Sequence, residues 1–186
     1  AKEMILKIYE ESENYLDAAL IEEEIAKKKK NFLRLAGYYA EHGKRTLTTN
    51  EKDGLAYIRK ALKYAPDCPN ALYYLGDYYN SQGKPDKAAE WWGKLLEVAP
   101  NYSFIVIDRL EKAYFDLGRF DEIIPLYKNL FNKNPKNISV GLALSEIYFK
   151  KGELGDARET LNKIADANPQ SIIPQLKLAN LALEEE

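Results

Sequence analysis

The chain has 186 residues, 46% hydrophobic and 30% charged, enough to bury a core while keeping much of its surface wet. A formal charge of -2 and a pI near 5.7 withhold the broad attraction that nucleic acids or anionic membranes require, unless a small local patch supplies it. One cysteine, Cys68, and one histidine, His42, exclude an internal disulfide and a Cys/His metal cluster.

No stretch approaches the length of an apolar membrane span, and the first residues lack the apolar core of a signal peptide, so a soluble, cytoplasmic chain is expected. At the N-terminus, Ile5, Leu6, Tyr9, Ala18, Ala19 and Ile25 suggest a degenerate helical pair over 1–30. The run Lys27 to Lys30 at its end reads as a solvated helix terminus complementing the dipole. Over 31–68, Leu33, Ala36, Gly37 and Ala40 mark a first helix, and Gly54, Leu55, Ile58 and Ala61 a second, closed by Pro66. Between Gly37 and Gly54 stand about five residues more than in the later units; rich in turn-formers and β-branched residues, the surplus in 43–50 reads as an enlarged loop. His42 is expected at the surface or as a cap, and Cys68 as a small packing residue.

From here the chain is periodic. Pro66, Pro100, Pro135 and Pro169 stand 34, 35 and 34 residues apart, and Gly83, Gly118 and Gly152 keep the same phase. Two punctuators on one period imply a repeated helix-turn-helix unit: glycine turns the chain, and proline stops the second helix before the next unit begins. In 69–102, Leu72, Leu75, Gly76 and Tyr79 share one helical face, and Ala88, Ala89, Trp92, Leu95 and Leu96 another. Small Gly76 and Ala88 let the two axes approach closely, with Tyr79 and Trp92 filling the adjoining space. Trp91, one step round the helix, is expected to pack on a neighbouring repeat rather than serve a partner. The unit 104–137 (Ile107, Leu110, Glu111, Tyr114, Ile123, Tyr127, Leu130) keeps the rhythm but loses both small residues, so its helices should lie farther apart. Pro125 falls about one turn into its second helix, where it could bend the axis. The unit 138–171 restores small residues at Gly141, Ser145 and Ala157, and 172–186 supplies one unpaired helix.

These residues resemble the tetratricopeptide repeat, whose 34-residue pattern sets an aromatic or leucine, leucine, glycine, tyrosine, alanine, aromatic, alanine and proline at fixed places. In 69–102 those places hold Leu72, Leu75, Gly76, Tyr79, Ala88, Trp92, Leu95 and Pro100. The resemblance implies an all-α, right-handed α-solenoid running through 1–186 as one domain, with the first helix of each pair lining a concave groove that binds a protein or peptide. Carrying the family register over residue by residue puts Arg34, Tyr38 and Glu41 in that groove, then Asn70, Tyr73, Asp77 and Asn80. Ile105, Asp108, Lys112 and Phe115 follow, then Leu142, Glu146 and Phe149, and finally Leu176 and Asn180. Tyr73, Phe115 and Phe149 would be the apolar anchors. Some members clamp a C-terminal carboxylate with lysine and asparagine; those places hold Tyr73 and Asp77 here, so that mode is not expected.

Carboxylate runs such as Glu22-Glu23-Glu24 lack partners to tune them and read as wet helix faces; with no phosphate-binding glycine loop or catalytic constellation, neither an enzyme nor a cofactor is expected. Single-stranded RNA binding, the alternative for helical repeats of this length, is opposed by the acidic pI and by Asp77, Asp108 and Glu146. The order of irregularities, with Ile8-Tyr9 and Tyr15 to Ala19 in a proline-less first pair and then Leu35 to Glu41, resembles the middle and C-terminal repeats of the bacterial lipopolysaccharide assembly protein B family. That resemblance implies an adaptor with a membrane anchor and a four-cysteine module; neither is in this sequence, so the expectation is either an excised repeat region or a likeness to the repeats alone. The final helix, with Ile172, Ile173, Leu176, Leu178, Leu181 and Leu183, would leave apolar faces open to self-association.

Overall fold

The computed structural model describes residues 2–184, with backbone alone at position 120, and all regular structure among them is helical. It falls into two compact units, Ala1–Val98 and Ala99–Glu186. The first contains α1 (Lys2–Glu11), α2 (Tyr15–Lys29), α3 (Leu33–Leu47), α4 (Glu51–Tyr64), α5 (Pro69–Ser81) and α6 (Pro85–Val98). Neighbours in sequence pack as antiparallel pairs, and α5 also lies against α3 and α4. The second opens with a 3-10 turn at Pro100–Tyr102, then α7 (Ser103–Asp116), another such turn at Phe120–Glu122, α8 (Ile123–Lys133), α9 (Ile138–Lys150), α10 (Leu154–Ala167) and α11 (Ile173–Glu184). In it α9 is central, touching α7, α8 and α10, while α11 packs on α10. No helix among the described residues is long and apolar enough to cross a membrane.

The periodic glycines make the turns. Gly83, Gly118 and Gly152 sit at φ of 65°, 65° and 77°, where side chains other than glycine are strained. The following residue then returns its N–H to a tyrosine carbonyl five residues back: Lys84 to Tyr79 at 3.0 Å, Arg119 to Tyr114 at 2.9 Å and Glu153 to Tyr148 at 2.9 Å. One sequence spacing thus produces three copies of one helix terminus.

A different set of glycines sets the distance between helices. A Cβ on Gly76 would lie 2.2 Å from Nε1 of Trp92, so the buried indole lies directly against the α5 backbone, its N–H without an acceptor. Gly141 is likewise overlain by Ile164 and Phe131. The α7/α8 pair has no such glycine; Leu110, Ile123 and Tyr127 fill its interior, and the two backbones approach less closely than in α5/α6 or α9/α10. Pro125 is the third residue of α8, within the first turn, where its missing donor leaves no broken intrahelical bond.

The expected loop at 43–50 is mostly helix. α3 continues through Leu47, and only 48–50 separate it from α4, whose first turn is capped by Asn50 Oδ1 accepting from the Asp53 N–H at 3.2 Å. The extra residues lengthen α3 because the contact glycine is Gly43, not Gly37. A Cβ on Gly43 would meet Ile58 Cγ1 at 2.7 Å and the Gly54 carbonyl at 2.8 Å, and one on Gly54 would meet the Leu47 nitrogen at 2.6 Å. Two glycines, one on each helix, let α3 and α4 lie backbone to backbone, and that packing overrides the weak local propensity of Thr46 to Thr49.

The contrast between Gly37 and Gly43 is testable. Gly37 lies inside α3 with nothing within 4 Å of an added Cβ, so Gly37→Ala should stabilise by about 0.5–1 kcal/mol through reduced chain entropy. Gly43→Ala should cost about 1–3 kcal/mol by forcing Ile58 and the α4 backbone away. Urea titration followed by circular dichroism measures both; equal effects would contradict this register.

Candidate functional site

In the N-terminal unit Tyr38 does not face an open groove, whereas Arg34 is exposed and borders a cleft of about 390 Å³ with Glu22, Lys29, Asn31 and Leu33. Tyr38 is only 5% exposed and donates its hydroxyl hydrogen bond to Glu10 of α1. Arg34 grips Glu3 with both terminal nitrogens, at 2.8 and 3.1 Å, and sets Nη2 2.6 Å from Oε2 of Glu22, a close ion contact without hydrogen-bond alignment. The shifted register of α3 turns this face toward α1 and α2. The arginine hydrogen bonds hold the Glu3 carboxyl below its ordinary value. Glu22, expected on a wet face, is 3% exposed, and Arg34 is the charge that makes its burial tolerable. The lysine run is exposed at the end of α2, with Lys27 on Glu23 and Lys29 on Glu3. His42, by contrast, is half-buried, edge-on to Tyr57 with ring centroids 4.5 Å apart, and burial lowers its pKa. Trp91 packs on the core of this unit with Lys94 over its ring, and Cys68 is buried, its thiol pushed up by that burial.

On α5, Asn70 donates to Glu41 at 2.7 Å and Tyr74 donates to the same oxygen, so Glu41 joins α3 to α5. Tyr73 is half-buried, edge-on to Tyr74, and Asn80 is exposed. Asp77 lines a cleft of about 310 Å³ with Lys44, Leu47, Glu51, Tyr74 and Tyr78. The lengthened end of α3 builds one wall of this cleft, and Tyr78 donates to Glu51 at 2.6 Å across it.

In the C-terminal unit, Asp108 and Lys112 are exposed on α7, Ile105 is half-buried, and Phe115 is 72% exposed. Leu142 on α9 is half-buried, whereas Phe149 and Leu176 are exposed. A cleft of about 300 Å³ between α9, α10 and α11 gathers Glu146, Phe149 and Asn180 around a floor of Ala157, Leu161 and Leu181. Two lysines frame it: Lys150 Nζ lies 3.2 Å from Glu146 and Lys177 Nζ 3.9 Å. Leu181, expected among the open apolar residues of the last helix, is buried there, and Leu178 is half-buried; Ile172, Ile173 and Leu183 are exposed. The arrangement offers an apolar slot with charges of both signs at its mouth.

Lys150 and Lys177 escaped the sequence reading; Lys150 follows Glu146 by one helical turn, a spacing that carries a signal in retrospect, whereas Lys177 reaches Glu146 from α11. So did Asn137, which caps α9 by accepting from the Val140 N–H at 3.2 Å and donates to the Pro100 carbonyl at 2.9 Å, tying one repeat junction to the next. Glu111 is more informative. It occupies the place of a contact glycine and is half-buried on α7, and burial raises its carboxyl pKa; Lys150 opposes that rise while Glu146 and Asp108 add to it.

With the folded carboxyl above its ordinary value near 4.5, the native state binds more protons than the unfolded chain in the window above 4.5, so this group costs stability as pH rises through it. Glu111→Gln should therefore raise resistance to urea at pH 7, and the advantage should shrink as pH falls toward 4.5 and vanish below it. An advantage independent of pH would contradict this origin.

Profiles described as tetratricopeptide repeat match residues 52–102 and 114–181. Over 94 residues, 50% of this chain, the sequence is 28% identical to protein O-mannosyl-transferase TMTC1 of Homo sapiens, covering 10% of that protein. Over 175 residues, 93% of this chain, it is 25% identical to lipopolysaccharide assembly protein B of Haemophilus influenzae, covering 44% of it. The chain thus spans less than half the length of either relative. Among solved structures, PilF of Pseudomonas aeruginosa superposes with a TM-score of 0.51 at 20% identity, over 81% of this chain and 68% of that one, a likeness of fold. Matched profiles, turn glycines and helix pairing agree: the chain is a tetratricopeptide-repeat protein.

Proposed function

We propose that the chain is a non-catalytic scaffold that holds a peptide or protein segment against the first helices of its repeats. The observation that carries this reading is the cleft between α9, α10 and α11, where Glu146, Phe149 and Asn180 converge over buried leucines. A volume of about 300 Å³, at the small end of ligand pockets, takes one or two side chains of a partner. Apolar anchor and polar rim are the anatomy of a peptide-binding surface. In this reading Phe149 and Leu176 make the apolar contact, and Lys150, Lys177 and Asn180 orient the backbone or polar groups of the segment. The 25% identity to lipopolysaccharide assembly protein B over 93% of the chain supports a role in lipopolysaccharide assembly; a regulatory adaptor on the cytoplasmic side is the form of that role proposed.

The test is to identify proteins retained by the immobilised chain and measure their affinity for the chain and for Phe149→Ala. Loss of about tenfold or more, about 1.4 kcal/mol, is expected for an anchor at the centre of the contact. Unchanged affinity in a variant with native circular dichroism rejects the cleft as the site.

A further inference from the structure

The exposed face of α7 carries a second pattern, distinct from the cleft. Phe104 and Phe115 are 76% and 72% exposed. Eleven residues apart, they lie about 16 Å from each other along the axis and within about 20° of the same direction around it. Asp108 and Glu111 fall between them at i+4 and i+7, so Phe104, Asp108, Glu111 and Phe115 form one stripe. Neither carboxylate has a hydrogen bond or ion pair among the described residues. The nearby cation from α9, Lys150, is held by Glu146 at 3.2 Å, and the Glu146 carboxylate adds to the negative field over Glu111. Lys112 stands to one side of the stripe, about 40° from Asp108.

An apolar contact at each end, with two carboxylates between them that make no hydrogen bond or ion pair among the described residues, specifies the chemistry of what would cover it. We infer that this face docks a basic amphipathic helix of a partner protein, with apolar side chains on Phe104 and Phe115 and arginine or lysine reaching Asp108 and Glu111. The inference rests on the scaffold reading above and adds the sign and spacing of the partner. The matching ligand has apolar residues at i and i+11 and basic residues at i+4 and i+7. That spacing is the same read in either direction, so it fixes the composition of the ligand and leaves its polarity open. An acidic helix would meet like charges, and a neutral apolar one would leave the carboxylates desolvated without partners.

Fluorescence anisotropy tests this with the whole chain and two synthetic helices of about five turns. One carries leucine at i and i+11 with arginine at i+4 and i+7, and its twin carries glutamate in place of arginine. The arginine peptide should bind at least about tenfold tighter than its twin, the preference narrowing with added salt. Asp108→Lys, at an exposed position, should weaken the arginine peptide, and Asp108→Lys with Glu111→Lys should reverse the preference, provided circular dichroism shows both variants folded. Equal binding, binding of neither peptide, or preference for the glutamate twin would overturn the inference. These outcomes leave the Phe149→Ala measurement intact, so failure here is distinguishable from failure of the scaffold reading.

Discussion

The structure depends on how closely paired helices can approach. Where a glycine faces the partner helix, a large side chain lies directly on its backbone: Trp92 on Gly76, and Ile164 with Phe131 on Gly141. In α3/α4 the main chains themselves meet through Gly43 and Gly54. Close packing of this kind yields more dispersion contact per residue than side chains held at arm's length, and it fixes the direction of every other side chain on the helix. Where the glycine is missing, at Glu111, the α7 and α8 backbones approach less closely and a carboxylate is left half-buried.

Much of this was legible in the sequence because it rests on period. Turn glycines need only a residue that tolerates positive φ, and the stripes of Leu72, Leu75, Leu95 and Leu96 need only helical spacing; both signals are local. The exact register of α3 was not legible. Gly37 and Gly43 both sit in plausible places, and which one contacts α4 is decided by the backbone of Gly54 and the side chain of Ile58, far along the chain. A turn-rich composition in 43–50 therefore pointed to a loop where packing selects helix. The fate of Arg34 and Tyr38 follows from the same displacement, since their side chains were assigned to a groove by a register that α3 does not keep.

The candidate surface was readable in part for the same reasons. Glu146, Phe149 and Asn180 converge because the repeat register holds in α9 and α11, whereas their lysine companions depend on which rotamers meet across two helices. Tyrosine hydroxyls tell a similar story: Tyr64, Tyr74 and Tyr78 donate to Glu23, Glu41 and Glu51, three pairings separated by 27 to 41 residues that no pattern of spacing announces. They tie α4 to α2 and α5 to both α3 and α4, and consume polar groups that a composition-based reading would leave facing solvent.

The central claim is that partners bind on the first helices of the repeats. A photo-crosslinking residue placed in turn at Phe149 on α9, at Lys128 on α8 and at Lys163 on α10 tests it most directly, because all three positions are exposed. A discrete partner adduct is expected from position 149 and none from 128 or 163. Adducts from 128 or 163 with none from 149 would contradict the claim.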